Sequence, residues 1–82
     1  MRVSKNEFHE VRNSLRYKGF SDRDVGEVEK LFRGDMHESG DHSGIDTKEI
    51  EGGLKWMREN MSKHKLSEKK INTLEESLKK KL

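Results

Sequence analysis

Three times along the chain an apolar residue stands just before a helix-capping residue and finds an apolar partner five positions on. The sets are Phe20, Ser21 and Val25; Ile45, Asp46 and Ile50; and Leu66, Ser67 and Ile71. In each, the polar side chain accepts a hydrogen bond from an amide that a helix start leaves unpaired, and the flanking apolar pair packs across it like a staple. One such set arises easily by chance. Three in register with three caps fix three helix starts. Ser4 and Glu7 have the spacing of a capping box and supply a fourth.

Apolar spacing then carries each helix forward. Phe8, Val11 and Leu15 share one face of a helix predicted over 5–18, which Gly19 is suited to stop. Val25, Val28, Leu31 and Phe32 form the stripe of a second helix over 22–33. From Gly34 to Gly44 the only apolar residue is Met36, so the pattern lapses into one long loop. Ile50, Leu54, Met57 and Met61 define a third helix over 47–61, and Ile71, Leu74, Leu78 and Leu82 a fourth over 68–81. Gly52 and Gly53 lie inside the third, where each costs about 1 kcal/mol relative to Ala. They predict a weakened turn or a close helix crossing. No segment alternates as a strand would. The expectation is an all-α fold, a small four-helix domain occupying residues 1–82.

The core must be thin, because a chain of 82 residues buries only about 60% of its unfolded surface. Leu, Ile, Val and Phe make 17 of the 82, just above the ~20% below which highly charged chains stay disordered. Charged residues reach 41%, but the net charge is only +2, so self-repulsion does not hold the chain open. Without cysteine there are no disulfides, thiolate nucleophiles or cysteine zinc sites. No apolar run approaches the ~20 residues of a membrane span, and Met1 to Phe8 lacks a signal-peptide core. A cytoplasmic location without a membrane partner is expected.

The order helix, acidic glycine-containing loop, helix resembles an EF-hand over residues 22–58. The resemblance rests on Val28, Leu31 and Phe32 before the loop, the run Asp41-His42-Ser43-Gly44-Ile45-Asp46-Thr47-Lys48-Glu49, and Ile50 and Leu54 after it. It implies an EF-hand-like helix-loop-helix core with flanking helices, and calcium as the candidate ion, with Glu38, Asp41, Asp46 and Glu49 as candidate ligands. The loop departs from the family pattern of twelve residues with Gly sixth. With Glu49 twelfth, Ile45 and Asp46 fall correctly at eight and nine, but Gly40 is third and Gly44 seventh. With Gly44 sixth, one residue is missing before Ile45. Neither register supplies the usual ligands, so the scaffold is expected without a resident cofactor, and Asp46 and Glu49 are expected to cap the third helix.

Chemistry beyond this is sparse. His37 and His42, near Asp35 and Asp41, are suitable metal ligands at an unspecific spacing, and His9 and His64 fall at positions expected to be solvated. There is no phosphate-binding glycine loop, no H-E-x-x-H and no G-x-S-x-G, and so short a chain can hardly enclose a catalytic cleft. No enzymatic activity is expected. Residues 62–82 carry seven Lys against three Glu, which makes Lys79, Lys80 and Lys81 the candidate nucleic-acid contacts, although cations at a helix end also offset its dipole. Trp56 falls off the stripe of the third helix, either closing the core edge or standing exposed. With Met57, Met61 and Tyr17 it forms the candidate partner-binding set. The leading expectation is a protein-binding module, a small regulator or inhibitor acting on a larger protein, as in an accessory protein of a phage or bacterium. The alternatives are a calcium-responsive EF-hand-like sensor and a nucleic-acid-associated protein using the basic last helix.

Overall fold

The structure, a computed structural model, describes residues 2–36 and 44–82. Its elements are β1 (Arg2–Val3), α1 (Lys5–Tyr17), α2 (Asp22–Met36), β2 (Ile45–Asp46), α3 (Thr47–Glu59), a 3-10 turn (Met61–Lys63) and α4 (Glu68–Lys79). The protein is an all-α domain of four helices with one two-stranded antiparallel ribbon. That ribbon pairs Arg2 with Asp46 and Val3 with Ile45. It was not expected, because two residues are too few to alternate.

The caps form as the spacing requires. Ser4 with Glu7 and Asp46 with Glu49 close reciprocal capping boxes, as do Ser21 with Asp24. Ser67 accepts from the Lys70 amide. α1 stops at Gly19, whose φ of 93° lets the Phe20 amide reach back to the Leu15 carbonyl at 3.1 Å. α2 runs on to Met36, past the expected stop at Gly34, whereas α3 and α4 end two residues before their expected ends.

One core joins all the elements. Phe8, Val11 and Leu15 meet Val25, Val28 and Phe32, and α3 contributes as fully as its neighbours through Ile50, Leu54 and Met57. Ile71, Leu74 and Leu78 close it from α4. The rings of Phe8 and Phe32 meet edge to face at 6.1 Å. Gly53 is where α2 and α3 come closest, since a Cβ there would stand 2.9 Å from the Phe32 ring, whereas one at Gly52 would meet nothing within 4 Å.

The architecture is an internal repeat. β1–α1 and β2–α3 are equivalent units: Val3 corresponds to Ile45, Ser4 to Asp46, Glu7 to Glu49, Phe8 to Ile50 and Leu15 to Met57. α2 and α4 correspond likewise, Ser21 to Ser67, Val25 to Ile71, Val28 to Leu74 and Phe32 to Leu78. An ion pair also ties each half together: Arg12 reaches Glu29 at 2.8 Å between α1 and α2, and Arg58 reaches Glu75, the counterpart of Glu29, at 2.9 Å between α3 and α4, from a place one turn further along its helix than Arg12.

Candidate functional site

Because the units repeat, the fold makes the same kind of interhelical groove twice, and the two copies carry different chemistry. The first lies between α2 and α3 and has a volume of about 300 Å³. Leu31, Trp56 and Met57 supply its apolar surface, His64 lies at its base, and Glu27, Lys30 and Lys63 stand around its mouth. Trp56 is 42% exposed, which answers the sequence question in favour of a solvent-facing ring. Met61, just beyond it, is 41% exposed. Met57 is a correction: it forms part of the groove wall but is buried in the core at 1% exposure. Tyr17 is 93% exposed and does not line this groove.

His64 is a second correction, since it was expected in solvent and is buried. Its Nε2–H donates to the Met57 carbonyl at 2.7 Å, and its Nδ1 accepts from the Leu66 amide at 3.1 Å. Those two bonds assign the neutral tautomer. They tie the 60–66 connection to the end of α3 and hold the imidazole against the indole, with ring centroids 6.2 Å apart. Asn60 adds a bond from Nδ2 to the Trp56 carbonyl at 2.8 Å. The exposed ring therefore stands on a braced backbone.

The second groove, about 340 Å³, lies between α1 and α4. Ser14 takes the place that Trp56 has in the first, and Ser77 that of Leu31. Lys18 donates to Ser77 Oγ at 2.9 Å, and Lys81 pairs with Glu10 at 2.6 Å, so polar contacts bridge its two helices. The Glu10 hydrogen bond raises the Lys81 pKa above its ordinary value. Lys79 pairs with Glu75 at 2.9 Å, and the Lys79 and Arg58 bonds hold that carboxyl below the usual range. Among Lys79, Lys80 and Lys81, two cations are thus committed within the protein, leaving Lys80 for an outside anion.

Of the candidate calcium ligands, Glu38 and Asp41 lie outside the described residues, as do His37 and His42. Asp46 and Glu49 each spend one oxygen on a helix-start amide, at 2.7 and 2.9 Å. Among the described residues no three His, Cys, Asp or Glu side chains gather as a metal site, and no helix is long and apolar enough to cross a membrane.

Of the residues that line the groove, sequence reasoning singled out Trp56 and Met57 and missed His64, Lys30, Lys63 and the groove role of Leu31. Leu31 fitted the α2 stripe and read as core, and a histidine between lysines in a polar connection carries no periodic signal. No protein-family model, curated protein or solved structure matches the chain.

Proposed function

We propose that the protein is a non-enzymatic protein-binding module, a small cytoplasmic regulator or inhibitor that docks onto a larger protein through the α2–α3 groove. The observation that carries this reading is the exposed Trp56, its ring backed by His64 beside Leu31 and Met57. Tryptophan in a desolvating pocket is a typical energetic anchor of protein interfaces. Affinity capture with the full chain, run beside the Trp56→Ala variant, tests it. A partner retained by the parent and lost by the folded variant supports the reading; equal retention refutes it.

A second reading, a calcium-responsive EF-hand-like sensor, draws support from the paired strand, capping-box and helix units joined through β1 and β2. It requires that calcium shift the amide resonances around Asp46 and Glu49 and raise the melting temperature by mass action. Unchanged spectra and melting at millimolar calcium would remove it.

A further inference from the structure

We propose that the α2–α3 groove receives an acidic amphipathic helix of a partner protein, which places one large apolar side chain between Leu31, Trp56 and Met57. The inference rests on the docking-surface reading and adds the chemistry of the partner.

The internal repeat supplies the first argument. At the equivalent places of the α1–α4 groove the fold is satisfied with Ser14 and Ser77, with Lys18 bonded to Ser77 and Lys81 to Glu10. The scaffold therefore does not require Trp56 there, whereas Leu31 also packs against the core. A large apolar side chain left in water where its counterpart is a serine is accounted for by an occupant that covers it.

The second argument is Gly52. A glycine inside a helix is unfavourable, and this one answers to no neighbour: a Cβ would meet nothing within 4 Å. Its counterpart on α1 is Glu10. Gly52 precedes Trp56 by one turn, so the backbone beside the anchor is bare and another helix can approach closely. No strand edge borders the groove among its lining residues, which leaves helix-in-groove docking rather than strand addition as the mode.

Charge names the kind of helix. Lys30 on α2 and Lys63 on the 3-10 turn flank the mouth and make no ion pair among the described residues, against a single acid, Glu27. Carboxylates flanking an apolar anchor complement that rim. A second copy of this chain does not, because a two-fold contact across this face would set lysines against lysines. A groove of about 300 Å³ takes an anchoring side chain, at the lower limit of small-molecule pockets.

The probe is a displayed library of 18-residue helical peptides randomised on one face and selected against the full chain. Enriched peptides are expected to carry one large apolar residue flanked by Asp or Glu, and to shift the emission of Trp56, the only tryptophan, to the blue. Trp56→Ala should weaken them by about 30-fold or more. The Lys30→Glu/Lys63→Glu double variant should instead select lysine-flanked peptides. Gly52→Ala should raise the melting temperature of the free chain by about 4 °C while weakening the peptides at least about tenfold. Gly26→Ala, also open but on α2 rather than one turn before Trp56 on α3, should raise the melting temperature alone. Peptides that depend on Trp56 but are uncharged or basic would overturn the acidic partner and leave the docking surface standing. Peptides indifferent to Trp56, or no enrichment, would overturn both. A blue shift on phosphatidylglycerol vesicles without peptide enrichment would overturn the proposal in favour of a membrane surface.

Discussion

Adjacent glycines of α3 should respond to the same substitution with opposite signs. In Gly53→Ala the new methyl would lie 2.9 and 3.0 Å from Cε1 and Cζ of Phe32 and 3.2 Å from Cδ2 of Leu31. The Phe32 ring cannot swing away cheaply, because it is 1% exposed and meets Phe8 edge to face. Overpacking of this kind costs about 1 to 3 kcal/mol, set against a gain of about 1 kcal/mol in helix propensity. The net expectation is a loss of about 0 to 2 kcal/mol, each kcal/mol lowering the melting temperature by roughly 4 to 8 °C in a domain this size. Gly52→Ala keeps the propensity gain and meets nothing, so it should stabilise by up to about 1 kcal/mol.

Urea unfolding followed by circular dichroism measures both, with an unchanged m-value confirming that only stability has moved. The repeat suggests an internal control. At the equivalent contact of α1 and α4, Val11 faces the position of Leu78, a larger residue on one helix and a smaller one on the other. Phe32→Leu should therefore relieve part of the Gly53→Ala cost, with a coupling of about 0.5 kcal/mol or more. A Gly53→Ala variant more stable than the parent would refute the tight α2–α3 contact.

Other outcomes follow from the same structure. Burial pushes the Asp24 carboxyl up, but the Lys70 hydrogen bond at 2.6 Å and the Ser21 amide outweigh it, so the carboxyl sits below its ordinary value. A folded pKa below the unfolded one contributes stability that is present above about pH 4 and is lost as the pH falls through the folded value. Asp24→Asn should cost about 1 to 3 kcal/mol at neutral pH and flatten the acid limb of a melting-temperature profile; parallel profiles would refute this. Asp46→Ala should cost about 1 kcal/mol by chemical denaturation through loss of its cap, and a neutral result would mean that β2, rather than the cap, fixes the start of α3. Trp56→Ala should lower the melting temperature far less than the 3 to 5 kcal/mol of a buried aromatic implies, and a loss of that size would return Trp56 to the core.

Helix starts were legible because their determinants are local: a cap, an amide three residues on and a staple. Helix ends were less so. α2 passes Gly34 because glycine permits a stop without enforcing one, and α3 yields before Met61 to a 3-10 turn in the connection that His64 holds to its end. The ribbon of Val3 and Ile45 arises from tertiary contact alone. So does the difference between Gly52 and Gly53, which one sequence signal made look alike and which only the position of Phe32 separates. For the site, the break in periodicity at Trp56 left core edge and exposure both open, and the structure leaves the ring partly in solvent. Leu31 gave none, because a residue on the edge of a stripe reads the same whether a neighbouring helix covers it or leaves a groove.

The repeat also explains how so thin a core leaves room for a docking surface. Each half contributes a capped strand-helix unit and a packing helix, so the contacts that determine the fold are made twice, and the residues between them vary without loss of architecture. In the α1–α4 copy those residues were spent on cohesion: Lys18 to Ser77 and Lys81 to Glu10 join the last helix to the first. In the α2–α3 copy an exposed indole stands at the place of Ser14 and an open glycine at that of Glu10, and Lys30 and Lys63 line the groove without ion partners among the described residues. Stability and recognition are thereby assigned mainly to different copies of one groove, and substitutions at Lys18, Ser77 and Lys81 should act on unfolding while those at Lys30, Trp56 and Lys63 act chiefly on binding.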